Sequence, residues 1–542
     1  MKKWKDLYGK LRRTESFARL AGRKSGENGM KDYLLGIDNG GSNVKAALYD
    51  REGHEIAVAG KPHASTEKTA KGFTERSGEN VWKNNCEVIC EVLEKAGITG
   101  EQVRGIGVSG YGNGLHLVDG GNNSTYPHIV STDSRAAEYV RWAYETGKSE
   151  QIYRETYQST WAAQPLLLLK WMQDNKPEVL EKSTAFLNIK DYIRMKLTGV
   201  QCMEQTDASA DGFTNIRDGK AEKKVFEILG IGDLFRLVPE IKLSSDICGY
   251  VTREAARETG LSEGTPVAGG MIDIEACAFS NGLQDGRDLA IITGTWGIVE
   301  YLSPDLVDDK DLFINAFSYL PDYYMIAEGS STSASNLNWM MDNVLGAWVQ
   351  EAGGKAEFYR QCDEILTKIP PEECSCIFLP YLYASNTNPF SRGAFFNINA
   401  FHTKEHFIRC VYEGIVFCTL YHLEKLKRHK DDFRMVRMSG GMTNSVPWTQ
   451  MMCDALQMPV EVVNGKEQGA KGAAMCAAVA CGEFGSMQEA ARQMTIVDHT
   501  YLPDRTKAEI YHKKYESYKK AAEAANIFTE SVKEDCGKTS AQ

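Results

Sequence analysis

Asp38 stands just ahead of a turn of small residues, Asn39-Gly40-Gly41-Ser42-Asn43, which joins two apolar runs within Leu34–Asp50. Strand, glycine turn and strand read as a β-hairpin with glycines at its tip. Two glycines let backbone N–H groups converge with no Cβ in the way, which makes an anion-binding nest. A carboxylate beside such a nest can hold a hydrated Mg²⁺ next to a bound phosphate. An ordinary hairpin with a polar tip is the competing reading of this stretch.

A second acid, Asp273, follows the strand Pro266 to Ala268 and the pair Gly269-Gly270, where a helix from Ile274 to Phe279 begins. An acid in that place is either a helix cap or a carboxylate projected into a cleft as a general base. The hairpin layout then returns in Asp288 to Leu302, with Gly294-Thr295-Trp296-Gly297 as its turn. Two hairpins of one design predict a duplicated domain. A third glycine turn, Gly440-Gly441-Met442-Thr443-Asn444-Ser445, ends the strand Val436 to Ser439, and Pro447 opens a helix behind it. Glycines ahead of a helix N-terminus suit a phosphate or nucleotide, and Asn444 or Ser445 is placed to cap that helix.

The elements that must position these groups alternate as strands and helices. Val103 to Ser109 is a buried strand running into Gly110-Tyr111-Gly112-Asn113-Gly114. Loops at the carboxyl ends of strands line ligand sites in α/β sheets, so Asn113 and Tyr111 are candidate ligand contacts, with turn chemistry as the alternative. Asp133 and Arg135 share a face of an extended segment and either pair or bind a polyol. Asp207-Ala208-Ser209-Ala210-Asp211 reads as a polar turn, and Glu467 to Ala480 as a helix crowded with Gly and Ala.

The 542 residues suffice for two large domains. A net charge of −11, with no long basic stripe in the body of the chain, argues against a nucleic-acid partner. No apolar run approaches the roughly 18 residues a membrane helix needs. The 14 cysteines are scattered without a CxxC pair, which predicts reduced thiols in a cytoplasmic protein rather than disulfides or zinc. The first 29 residues carry nine Lys/Arg against three Asp/Glu and predict a disordered basic extension.

The set Asp38-x-Gly40-Gly41-Ser42, Gly264-x-Pro266-Val267, Asp273, Gly294-Thr295 and Gly440-Gly441, in this order, resembles the FGGY carbohydrate kinases of the actin-like sugar-kinase superfamily. The resemblance runs from about Tyr33 to beyond Ala480. The pieces SGYGNGLHLVD, DIEACAF, GTWG and LPYLYASN are most similar to L-xylulose kinases. It implies an α/β fold of two actin-like (ribonuclease H-like) domains of duplicated topology around a central cleft. The expected layout is a basic extension over 1–30, a sugar-binding domain over 31–284 and a nucleotide-binding domain over 285–535.

By the same resemblance Asp273 is the catalytic base and Asp38 the acid that holds Mg²⁺. Gly40, Gly41, Ser42, Gly294 and Thr295 face phosphates, and Gly440, Gly441 and Asn444 form the nucleotide turn. Asn113, Tyr111, Asp133 and Asp273 contact or border the sugar. The implied activity is transfer of the ATP γ-phosphate to a ketopentose such as L-xylulose or a related keto-sugar. The alternatives are another sugar or polyol (D-xylulose, ribulose, erythritol, glycerol), or a non-catalytic actin-like ATP-binding module. A homodimer is the family-level expectation. Three residues depart from the family pattern: Gly41 replaces a threonine, Trp296 stands where many members have serine, and Asn397 replaces a glycine in Gly393-Ala394-Phe395-Phe396-Asn397.

Overall fold

A computed structural model of the chain describes residues 33–63, 72–294, 296–382, 385, 388 and 391–532. The basic N-terminal segment and Thr295 lie outside the described residues.

The first half is built on β1 (Tyr33–Asn39), β2 (Asn43–Tyr49), β3 (Glu55–Pro62), β4 (Val103–Gly110), β5 (Ile247–Tyr250) and β6 (Pro266–Ala268). Helix α1 (Gly78–Ala96) packs behind β2 and β3, and α2 (Ile189–Thr198), α3 (Gln205–Ala210) and α4 (Asp273–Ser280) follow. The second half holds β7 (Asp288–Thr293), β8 (Gly297–Ser303), β9 (Ile314–Phe317), β10 (Tyr324–Ser330), β11 (Met435–Gly440), β12 (Val460–Val463) and β13 (Val497–Tyr501). Helix α5 (Val446–Leu456) follows β11, and α6 (Gln468–Ala480) follows β12.

The sheets run β3-β2-β1-β4-β6-β5 and β9-β10-β8-β7-β11-β12-β13. Set side by side, β3-β2-β1-β4-β6-β5 matches β10-β8-β7-β11-β12-β13 strand for strand. The sense of pairing matches too: antiparallel within each hairpin, parallel from β1 to β4 and from β7 to β11, parallel to the next strand, and antiparallel at the edge. The duplication expected from the two hairpins is therefore present throughout both sheets. Strand β9 has no counterpart.

Each half has its own apolar core, and a third apolar cluster lies where α4 and α6 cross between the sheets. Helix α6 belongs to the second half by sequence, yet it lies on the first sheet. Its seat is cut by glycines at alternate positions of two adjacent parallel strands. A Cβ on Gly36 would stand 1.8 Å from the Ala470 carbonyl oxygen, and one on Gly107 would stand 1.8 Å from that of Ala473. Alternation places Gly36 and Asp38 on one face of β1, and Gly105, Gly107 and Ser109 on the same face of β4. Gly472 gives α6 an equally close crossing over Ala276 of α4, where a Cβ would stand 2.0 Å from the carbonyl oxygen.

One local expectation is corrected. Residues 207–211 are not a turn. Gln205–Ala210 is a helix, buried almost throughout, with Glu204 capping it by accepting from Thr206 N. Its acids resemble turn residues only while their buried cationic partner is out of view.

Candidate active site

Asp38 is the last inward-facing residue of β1. Its parallel neighbour Ser109 donates Oγ to Asp38 Oδ1 at 2.8 Å, and its antiparallel neighbour is Lys45. Lys45 Nζ lies 2.6 Å from Glu467, the residue before α6. Gly469, in the first turn of α6, faces the Asp38 carboxylate. Burial raises the Asp38 pKa, while the Ser109 hydrogen bond and the Lys45 charge pull it down.

Asp273 is the first residue of α4 and accepts from the N–H of Ile274 at 2.8 Å. Burial raises its pKa well above the usual carboxylate range, and the charges of Asp38 and Asp207 add to the rise. It also bears on the second half: its charge adds to the rise that burial gives Glu300 of β8, and Ile274 packs against the cluster of Ile298, Met325 and Ala327. Asp273 thus stands between the two hairpins. The strand end before it is fixed by Thr206 Oγ1, which accepts from Ile272 N at 3.0 Å and donates to Glu204 at 2.7 Å.

The first hairpin tip has its carbonyls pinned from below. The Gly40 oxygen accepts from His63 Nε2 at 2.9 Å, that of Gly41 from Arg76 Nη2 at 2.5 Å, and that of Ser42 from His63 N at 2.9 Å. In a trans peptide the N–H points opposite to the carbonyl, so the N–H groups of Gly41 and Ser42 turn away from these partners. Both residues are exposed, and neither N–H makes a hydrogen bond among the described residues. The hairpin base is anchored by a reciprocal amide pair, Asn39 with Asn85 of α1, at 3.1 and 2.9 Å.

The structure brings the second and third turns together. Thr293 Oγ1, at the end of β7, donates to Ser439 O at 3.0 Å and accepts from Met442 N at 3.2 Å. Gly440 has φ +99°, and a Cβ there would stand 2.5 Å from the Thr293 carbonyl oxygen, so only glycine fits. Gly294 O accepts from Ala334 N at 3.3 Å, and Gly441 and Asn444 are exposed beside the turn. Ser445, not Asn444, caps α5 by accepting from Trp448 N. Trp296, in the second turn, stacks on Phe313 with ring centroids 5.8 Å apart.

Of the four expected sugar-side residues, the three besides Asp273 fare differently. Asn113 is nearly buried, holds φ +65°, and has an Oδ1 with no hydrogen-bond partner. Its N–H donates to Asp211 at 3.1 Å. A left-handed φ is one asparagine tolerates, so turn chemistry accounts for the backbone, and the unpartnered buried acceptor is what leaves Asn113 open to a ligand. Tyr111 and Asp133 are already engaged. The Tyr111 hydroxyl meets His116 Nε2 at 3.3 Å. Asp133 accepts from Arg135 Nε, Arg135 Nη2 and Thr74 N at 2.6 to 2.9 Å, with no exposed surface on its side chain.

A buried charge cluster escaped the sequence reading. Lys190 Nζ lies 2.9 Å from Asp191, 2.8 Å from Asp207 and 3.4 Å from Glu204, and Arg194 lies 2.9 Å from Asp191, with all these side chains fully buried. Burial pushes Asp207 up to about 7 against the pull of Lys190. The nearest signal in the sequence was Lys190-Asp191 at a helix start. Nothing in the order of residues joins it to Asp207.

Chemically, one carboxylate at a helix start can accept a proton from a bound hydroxyl. A second beside it offers hard oxygen ligands. Among the described residues Asp38 Oδ2 makes no hydrogen bond, and the Asp38 charge adds to the rise that burial gives Asp273, so a divalent cation here would relieve repulsion between two acids. Mg²⁺ binds through one or two carboxylates and keeps several waters, which one acid of this kind satisfies. The exposed Gly440-Gly441 backbone, with no Cβ in the way, fits a phosphate or nucleotide. Among the described residues, no helix is long and apolar enough to cross a membrane.

Residues 33–280 match the N-terminal domain, and residues 289–481 the C-terminal domain, of the FGGY family of carbohydrate kinases. The chain is 33% identical over 506 residues, 93% of its length and 99% of the other, to "L-xylulose/3-keto-L-gulonate kinase" of Escherichia coli. It is 32% identical to "Probable L-xylulose kinase" of Haemophilus influenzae, over 91% of this chain and 99% of that one. The crystal structure of xylulose kinase from Rhodospirillum rubrum superposes with a TM-score of 0.81 at 25% identity, covering 92% of this chain and all of that one. The fold is the two-domain actin-like α/β fold, and the chain belongs to the FGGY family of carbohydrate kinases.

Proposed function

We propose that the chain transfers the γ-phosphate of ATP to a hydroxyl of a ketopentose such as L-xylulose, or of a related keto-sugar, with Mg²⁺. The relatives named above supply the substrate class. The observation that carries the reaction is Asp273, a carboxylate at the start of α4 between the two hairpins, whose ionisation is held back by burial and further by the charges of Asp38 and Asp207.

In this reading Asp273 accepts the proton of the sugar hydroxyl. The oxygen–phosphorus bond to the sugar forms as the bond from the γ-phosphorus to the ADP oxygen breaks. Asp38 would hold Mg²⁺, which would supply charge neutralisation to the phosphates. Gly40, Gly41 and Ser42 from the first turn offer backbone N–H groups to the same phosphates, and Gly294, whose own N–H donates to Trp296 O at 2.9 Å, borders them from the second turn with Thr295. Gly440, Gly441 and Asn444 take the nucleotide. Asn113 takes a sugar hydroxyl on its free Oδ1. Tyr111 and Asp133, with their polar atoms spent, hold the wall rather than the sugar.

A coupled ADP-release screen over ketoses and polyols tests the assignment. The highest kcat/KM is expected on a ketopentose. A flat response across the panel overturns it.

A further inference from the structure

The two hairpin tips of the duplication differ in one respect. Gly40-Gly41-Ser42 links β1 to β2 with no large side chain, whereas the tip between β7 and β8 carries an indole, Trp296. The turn itself does not call for it: Gly294 N donates to Trp296 O at 2.9 Å, a backbone contact open to any residue there. The side chain is left 41% exposed, although burying an indole would be favourable.

Its contacts lead to the base. The indole stacks on Phe313, the residue before β9, with the ring planes 26° apart. Phe313 packs with Ile274, Ile292 and Ile314 against one apolar cluster that contains Ile298. Pairing sets Ile292 opposite Ile298, and both Ile314 and Glu300 opposite Ala327, so these side chains share one face of the second sheet. That face looks toward Asp273. Glu300 on it feels the Asp273 charge, and Ile274, packed on it, donates its own N–H to the Asp273 carboxylate at 2.8 Å. Ile274, Ile292, Phe313 and Ile314 are each only half-buried. A ledge of apolar contacts therefore runs from Trp296 to the residue next to the base.

Such a ledge bears on a side reaction that any kinase of small hydroxyl compounds must suppress. A base that takes the proton of a sugar hydroxyl can take that of water. A water oxygen then bonds to the γ-phosphorus, the bond to the ADP oxygen breaks, and one water proton passes to Asp273, giving ADP and inorganic phosphate. A polar wall would hydrogen-bond that water and hold it in line. Stacked aromatic rings give it little to bond, and a sugar seated over them covers apolar surface that the open cleft leaves wet. We propose that Trp296, seated on Phe313, is the water-excluding wall of the transfer site, which keeps the γ-phosphate for the sugar hydroxyl. The proposal rests on the kinase reading above and adds a residue to it.

The test measures ADP release and sugar-phosphate formation by wild type, W296A and W296F, with and without L-xylulose, beside thermal melts. W296A is expected to raise sugar-independent ADP release by about tenfold, and to release more ADP than it forms sugar phosphate when the sugar is present. Its KM for ATP should stay within about threefold of wild type. W296F keeps a ring on Phe313, so its ADP and sugar phosphate should remain matched.

Matched ADP and sugar phosphate in folded W296A overturn the proposal. So does a KM for ATP that rises by about tenfold with the two products still matched, which would make Trp296 a nucleotide contact. If W296A does not fold, W296Q reads the same wall with a polar chain in the turn: unmatched products in folded W296Q support the proposal, and matched products overturn it. A wild type whose ADP release no sugar stimulates ends the kinase reading itself. A sugar-stimulated wild type with matched products in W296A removes only the role of Trp296.

Discussion

Gly469 lies so close to Asp38 that a Cβ there would stand 2.8 Å from the Asp38 Cγ and 2.9 Å from Oδ2. The N-terminal turn of α6, a helix of the second half, therefore sets where the proposed metal-holding carboxylate of the first half can sit. Gly469→Ala is expected to displace Asp38, raise the Mg²⁺ concentration needed for half-maximal rate by about tenfold, and lower kcat. Mg²⁺ titration of sugar-dependent ADP release, alongside a thermal melt, checks this. An unchanged Mg²⁺ dependence in a folded variant contradicts it.

Asp273→Asn separates stability from function. The native pKa of Asp273 is raised, so its ionised form is penalised in the folded state at neutral pH. The neutral amide removes that penalty, and the melting temperature at pH 8 should rise. The same change removes the proton acceptor, so kcat should fall by about 10² to 10⁴ while ATP affinity stays within a few-fold. Calorimetric ATP titration and steady-state kinetics check both halves.

The acid limb of the pH profile should follow Asp273. The base works only when ionised, and its raised pKa keeps the proton on at pH values where an ordinary carboxylate has lost it. Activity is therefore lost as pH falls through that raised value. Removing the charge of Asp207 takes away one cause of the rise, so in Asp207→Asn the limb of kcat/KM should move to lower pH. A limb that stays in place would show that Asp207 does not act on the base.

Both hairpins, the duplication and the glycine turns were legible in the sequence because strands and glycine turns are short-range patterns. The helix of 205–210 was not, since Asp207 and Ser209 look like turn formers until Lys190 is brought beside them. The anchoring of the Gly41 carbonyl by Arg76 was missed for the same reason, since the two lie 35 residues apart in the chain. Asn397 could be read only as a departure from glycine; its φ of +59° shows a left-handed position that asparagine tolerates. Pairings across sequence distance carry the chemistry, and residue order records them poorly.

Lys190 balances the acids under the site floor, so removing it leaves buried carboxylates uncompensated. Lys190→Met should cost about 3–5 kcal/mol. Because Glu204 and Thr206 hold the strand before Asp273, the loss should also reach the site. Urea unfolding and the KM for sugar are the measurements. A stability within about 1 kcal/mol of wild type would show that the cluster tolerates the loss by taking up protons.

The seat of α6 gives the sharpest contrast between two glycines. At Gly107 a Cβ would stand 1.8 Å from the Ala473 carbonyl oxygen and 2.5 Å from its carbon, and these are backbone atoms that no rotamer change can move. Gly107→Ala must push α6 off the first sheet, at a cost of more than about 3 kcal/mol. Because α6 also fixes Asp38 through Gly469, activity should fall even where the protein still folds. At Gly41 a Cβ meets nothing within 4 Å, so Gly41→Ala should leave stability unchanged or raise it by about 0.4–1 kcal/mol. The denaturant midpoint should fall well below the wild-type value for Gly107→Ala and at or above it for Gly41→Ala. Equal effects would mean that the glycines of β4 do not set the position of α6.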